Sequence, residues 1–177
     1  MPSIGITGGI STGKTTFCRY LRTLIPEAEF FDADNAARWF TDHDAEVRLR
    51  ISEIFGPGIY SNGGDLNRDE LRAIIVESAA NRAALEQILH PRIRGKWSAE
   101  AQRYRNSPDF FFADIPLLYE TGGEILCDRV VVVACSPALQ LARLLGRKSR
   151  DDGPAGTPAR NATHPPASIR EAFRAGE

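Results

Sequence analysis

The sequence predicts an α/β fold built around a parallel sheet with flanking helices, and three observations carry that expectation. Ser3 to Thr7 is a short run containing β-branched residues that ends at Gly8-Gly9, and from Lys14 the apolar residues Phe17, Tyr20, Leu21 and Leu24 recur at i, i+3, i+4 and i+7. That pattern is strand, glycine loop, helix. Two near-continuous apolar runs, Phe110 to Ile115 and Val130 to Ala134, have the composition of parallel strands covered on both faces. Between the first strand and these runs the apolar spacing is helical. Strand, helix, strand, helical insertion, strand, crossover, strand and helix is the order of a parallel sheet with right-handed crossovers.

The remaining elements follow in chain order. Ala28 to Asp32 is a second short strand. Val47, Ile51, Ile54 and Phe55 mark an amphipathic helix stopped by Gly56-Pro57-Gly58, and Ser61 to Asp65 is a turn. Two further helices are expected from Leu71, Ile74 and Ile75, then from Leu85, Ile88 and Leu89. A longer helix is expected to start at Pro91, with Ile93, Trp97, Ala101 and Tyr104 on one face. Ser136-Pro137 supplies an N-cap and first position for a helix to about Leu145. From Ser149 to Ser168 there is no Val, Ile, Leu or aromatic residue, so this stretch is expected to be disordered.

At 177 residues and 42% hydrophobic composition, the chain has the size of one ordinary domain with a real core. Its formal net charge of −1 supplies no field that would draw it onto nucleic acid or anionic lipid. Cys18, Cys127 and Cys135 are odd in number and scattered, so they read as reduced, buried and inert thiols rather than a disulfide framework or metal site. Without a leader or a long apolar run, the chain is expected to be cytoplasmic, with neither membrane nor nucleic acid as partner, and a monomer or weak homo-oligomer.

Gly8-x4-Gly13-Lys14-Thr15 satisfies the G-x-x-x-x-G-K-[ST] pattern of a P-loop, in the strand-to-helix context that its mechanism requires. A chance glycine turn is the bland alternative. In a P-loop the glycines let successive N–H groups face phosphate oxygens, and the helix N-terminus adds partial positive charge. The expected nucleotide contacts are Gly9, Ser11, Thr12, Gly13, Lys14, Thr15 and Thr16, with Lys14 on the β- and γ-phosphates and the Thr15 hydroxyl on Mg²⁺. The fold class is thus P-loop NTPase-like.

The phosphoryl acceptor must be read elsewhere, because many enzymes share this loop. Asp32 and Asp34 lie at the carboxyl end of the second strand, where ligands of parallel sheets gather. Read as strand residues two apart, both point to one side, and either can take a proton from an attacking hydroxyl or orient water around Mg²⁺. The competing reading makes Asp34 the N-cap of a helix starting at Asn35. Asp114 ends the third strand and is either an acid facing Mg²⁺ through water or a structural cap. Arg143 and Arg147, four apart on one helix face, either close over the triphosphate or belong to a solvated face. His90, placed before a helix start at Pro91, reads as structural. Arg92, Arg94 and Lys96 read as the wet side of that helix.

Taken together, these motifs resemble the dephospho-CoA kinase family, P-loop kinases that phosphorylate the ribose 3′-hydroxyl of dephospho-CoA in the last step of coenzyme A synthesis. The likeness is collinear from about Ile4 to Arg147. It rests on ITGGISTGKTT, FDADNAAR, GGDLNRDELR, ILHPRI, DIPLLYETG and CDRVVVVACSPALQLARLLGR. The resemblance implies ATP as phosphate donor, Mg²⁺, dephospho-CoA as acceptor and a helical CoA-binding insertion at about 36–106 within a kinase domain of residues 1–148. It implies Asp34 as the base, supported by Asp32, with Arg38 and Glu120 near the acceptor and Arg143 and Arg147 as lid arginines. Two features depart from the family. Ser11 stands where another glycine is usual, and after Arg147 a Pro/Gly/Ala-rich stretch replaces the expected lid helix, final strand and C-terminal helix, so residues 149–177 read as a divergent or truncated end. The rival readings are a nucleotide-binding remnant with impaired catalysis and another small-molecule P-loop kinase, such as one for a nucleoside or nucleotide.

Overall fold

A computed structural model describes residues 3–151, with side chains to Gly146. Four parallel strands, β1 (Ser3–Thr7), β2 (Glu29–Asp32), β3 (Phe111–Asp114) and β4 (Arg129–Val132), are ordered β2-β3-β1-β4. Helix α1 (Lys14–Leu24) follows the P-loop; α2 (Ala33–His43), α3 (Ala45–Phe55), α4 (Arg68–Glu77) and α5 (Ala79–Tyr104) separate β2 from β3; and α6 (Pro137–Asp151) follows β4.

The period of two along the strands divides the core between the two faces of the sheet. Phe31, Phe111 and Ala113 point to one side and pack with Trp97 of α5 and Ala33 and Ala36 of α2. Phe112 and Ile6 point to the other, against Cys18 and Leu21 of α1, with Phe30 stacked on Phe112. β3 is the most deeply covered strand: Phe111 to Asp114 are all buried. A third cluster, Phe40, Val47, Ile51, Ile59, Leu66, Leu71 and Ile88, is the core of the helical layer itself. Ile93 of α5 packs against both this cluster and the one beneath the sheet, and so joins them.

Several expectations are corrected. Helix α5 runs unbroken through Pro91, which therefore stands inside a helix rather than at the start of one. Proline cannot donate to the carbonyl one turn back, which favours a break. Here the segments on both sides are held by packing, through Ile88 on one and Trp97 on the other, and Arg92 is tied to Asp44 and Glu46. The basic cluster is likewise not a wet face. Arg94 donates from Nη1 to the Thr121 carbonyl at 3.1 Å and from Nη2 to that of Gly122 at 3.3 Å, and Lys96 lies over the Trp39 ring.

Val130 to Ala134 is also not covered on both faces. Among the described residues β4 is an edge strand, and Val132 is 58% exposed. Leu139, Leu141 and Leu145 of α6 are themselves exposed and do not close over it. Ser136 caps α6 as expected, through Oγ on the Leu139 N–H, but the helix extends past Leu145 to Asp151. The stretch from 152 onward, with most of the segment expected to be disordered, lies outside the described residues.

Replacing Ile51, fully buried in the helical cluster, with Ala is expected to lower the unfolding free energy by about 2–5 kcal/mol, as a shift in urea midpoint with unchanged slope.

Candidate active site

The P-loop leaves β1 under close steric control. A Cβ on Gly8 would lie 2.3 Å from the Val133 carbonyl oxygen, a backbone atom beside β4, so only glycine fits against that strand. Gly13 adopts φ +108°, where a side chain is strained, and forms the N-cap of α1. Thr12 is buried and staples the loop, its hydroxyl donating to the Gly9 carbonyl at 2.8 Å. Helix α1 begins with neither a capping side chain nor an acid in its first turn. Its unpaired N–H groups and positive dipole end are thus left for an anion. Gly9, Ser11, Thr12, Gly13, Lys14, Thr15 and Thr16 all line one cleft of about 1100 Å³, together with Asp34, Glu120 and Arg143.

The acids are brought to this cleft by strand register. Asp32 stands opposite Asp114 in the β2–β3 pair, and Asp114 opposite Ile6 in the β1–β3 pair, so both acids reach the sheet edge where the loop begins. Asp114 is buried and forms an ion pair with Lys14 through Oδ1. Its Oδ2 accepts from Cys18 Sγ at 3.4 Å. Burial first, then the Asp114 charge, pushes the Cys18 thiol up to about 12, so it remains a protonated donor at neutral pH.

The reading of Asp32 and Asp34 as strand neighbours is corrected. β2 ends at Asp32, whose Oδ1 accepts the Asn35 N–H at 2.9 Å and caps α2. Asp34 is therefore not the cap. It occupies the first turn of α2, and the helix rather than the strand aims it. Asp34 opens to the cleft on one side and meets solvent there. Its carboxyl is nevertheless crowded enough that burial, followed by repulsion from Asp32, raises it above the ordinary aspartate range, against the opposing charge of Lys14. Arg38, one turn further along α2, contributes a smaller attraction and is not among the residues lining either cleft.

A second cleft, of about 790 Å³, opens between α2, α5 and the segment after β3. Leu85, Leu89, Ile93 and Trp97 give it apolar walls, while Arg82, Glu86 and His90 supply polar groups. The structure thus places His90 on a cleft wall in mid-helix. Asp34, Pro116, Leu117 and Glu120 line both clefts. A phosphate-binding loop and a largely apolar cleft meet at two carboxylates, Asp34 and Glu120. That arrangement suits transfer of a phosphoryl group between two bound molecules.

Arg143 lines the phosphate cleft and is tied to the loop itself. Its Nη1 donates to the Thr12 carbonyl at 2.8 Å and to that of Ser11 at 3.3 Å, on the loop backbone. The Arg147 side chain lies outside the described residues. Sequence reasoning missed Cys18, whose only signal was its position one turn after Lys14. It also missed Gln140, three residues before Arg143 on the same helix face, whose Nε2 donates to the Ile10 carbonyl at 2.7 Å.

A Gly8→Ala variant must displace the loop from β4. Nucleotide titration is expected to show affinity reduced by about tenfold or more, the equivalent of mild overpacking, while the fold persists by circular dichroism.

The profile of the dephospho-CoA kinase family matches residues 2–157. A dephospho-CoA kinase of Geobacillus kaustophilus is 37% identical over 147 residues, covering 82% of this chain and 72% of that one. One from Chlorobaculum tepidum is 33% identical over 149 residues, covering 81% and 71%. Among solved structures, TT1252 from Thermus thermophilus superposes with a TM-score of 0.66 at 27% identity, over 83% of this chain and 72% of that one. The dephospho-CoA kinase from Campylobacter jejuni, at 17% identity and a TM-score of 0.56 over 84% and 96%, shares the fold. The chain belongs to the dephospho-CoA kinase family of phosphotransferases.

Proposed function

We propose that the chain transfers the γ-phosphoryl group of ATP to the ribose 3′-hydroxyl of dephospho-CoA, with Asp34 as the base. The observation that carries this assignment of roles is the meeting of the two clefts at Asp34 and Glu120. ATP occupies the P-loop cleft with its phosphates on the loop amides and Lys14. Dephospho-CoA occupies the apolar cleft, with the helical segment at about 36–106 as its binding insertion. The acceptor oxygen attacks the γ-phosphorus as Asp34 takes its proton, the bond from that phosphorus to the bridging oxygen breaks, and ADP leaves. Glu120 holds the acceptor side, whereas Arg38, which lines neither cleft, acts on it through its attraction to Asp34. Asp32 supports Asp34 by capping its helix and by raising its basicity through repulsion.

The donor set fits a hard cation. Among the described residues no group of three or more His, Cys, Asp or Glu side chains forms a metal site, but the Thr15 hydroxyl lines the phosphate cleft beside Asp34, with Asp114 buried behind it on Lys14, which lines the same cleft. Mg²⁺ held by one hydroxyl, waters and substrate phosphates needs no more than this. Thr15 would hold it, with Asp114 acting through water, and the ion would neutralise charge on the β- and γ-phosphates. Among the described residues no helix is long and apolar enough to cross a membrane. We place the activity in the cytoplasm, on small-molecule substrates, in a monomer or weak homo-oligomer.

Asp34→Asn is expected to retain near-normal ATP affinity and to lose about 10²–10⁴-fold in kcat, with 3′-phosphorylated product tracked by mass spectrometry. Unchanged turnover would remove the role. The base must be ionised, so kcat/KM should fall with decreasing pH through an inflection above the ordinary aspartate value. Asp32→Asn keeps a capping side chain but removes the charge, and is expected to move that limb to lower pH.

A further inference from the structure

The P-loop carries a residue that its geometry resists. Ser11 sits at φ +59°, in the left-handed region that side chains other than glycine rarely adopt. Its Oγ is buried with no hydrogen-bond partner among the described residues. Neither feature helps the loop to keep this shape on its own. Three consecutive carbonyls of the same turn are instead held from α6. Gln140 Nε2 donates to Ile10 O at 2.7 Å, and Arg143 Nη1 donates to Ser11 O at 3.3 Å and Thr12 O at 2.8 Å.

We propose that Gln140, with Arg143, is a positioning clamp by which α6 holds the Ile10–Thr12 turn in its left-handed shape for nucleotide binding. In a trans peptide the C=O of one residue and the N–H of the next point in opposite directions. Pinning the carbonyls of Ile10 and Thr12 toward α6 therefore turns the N–H groups of Ser11 and Gly13 the other way, as donors to phosphate. A loop fixed in advance loses less freedom when the nucleotide binds. The clamp replaces, through a helix more than a hundred residues away, the freedom that a glycine at position 11 would give the loop. Gln140 is the informative half of the pair, because the Arg143 charge can also act on phosphate directly. The inference rests on the P-loop as the ATP site.

The test is a double-mutant cycle on the full chain, read by ATP titration and steady-state kinetics. Gln140→Ala is expected to weaken ATP binding by about five- to tenfold, the effect of one good hydrogen bond. KM for ATP should rise while kcat and KM for dephospho-CoA hold, whereas a merely structural loss would reduce the active fraction without moving KM. Introduced together with Ser11→Gly, the same replacement should cost less than about twofold, because glycine adopts the turn unaided. Gln140→Lys, which retains a donor, should recover most of the affinity. Normal ATP binding by Gln140→Ala, or an equal loss with and without Ser11→Gly, would overturn the clamp. Failure of the unmodified chain to bind ATP would instead overturn the reading of the loop as the ATP site. Should Gln140→Ala unfold, Gln140→Glu, of the same size but without the donor, is read by the same criteria.

Discussion

Everything at the site depends on the parallel register at the carboxyl end of β3. Asp114 ends this fully buried strand between Ile6 of β1 and Asp32 of β2, so one row of pairings fixes the phosphate loop, the Lys14 partner and the cap of α2 together. A slip of one residue would turn Phe112 toward the α5 side and break both core layers at once. The apolar packing that fixes register is thereby also what fixes the electrostatics. Lys14 meets Asp114 because Phe111 and Phe112 are locked on opposite faces, and Cys18 completes the contact because Leu21, on the same helix face, is buried against the sheet.

The two clefts have different physical characters, and each is built from a different layer. The P-loop cleft is made of backbone turned by glycine and by contacts to β4 and α6, so amide dipoles and Lys14 face the same space as Asp34, Glu120 and Arg143. The apolar cleft is made of helix side chains supported by their own core, with Ile93 joining that core to the sheet. Arg94 fixes the Thr121–Gly122 corner just after Glu120 and thus ties the helical layer to the segment that both clefts share. Asp34 belongs to both systems. It is carried by α2, which packs on the helical side, and it is exposed to the charges of Lys14 and Asp114 on the sheet side.

The fold was legible because its signals are local. Gly8-x4-Gly13-Lys14-Thr15 and the runs at Phe110 and Val130 each lie within one element and its turn, where spacing reflects structure directly. Errors arose where a local rule was carried past its element. Alternation applied to Asp32 and Asp34 assumed a strand that in fact ends two residues before Asp34, and the break expected at Pro91 was overridden by packing on both sides of it. Burial of β4 was inferred from composition, but coverage depends on neighbours that composition does not specify. Contacts such as Gln140 to Ile10, across 130 positions, leave no periodic trace, and neither does the turn of Arg94 toward the chain after β3. Sequence thus marked the chemistry of the P-loop well and its mechanical support poorly.

The central claim is that the two clefts hold two substrates whose reacting groups meet at Asp34. The most direct test is ADP release from Mg-ATP by this chain, with and without dephospho-CoA, alongside ATP binding on the same sample. The account predicts release that rises steeply with dephospho-CoA and saturates, above a low rate without it. Tight ATP binding with release indifferent to the acceptor would contradict it.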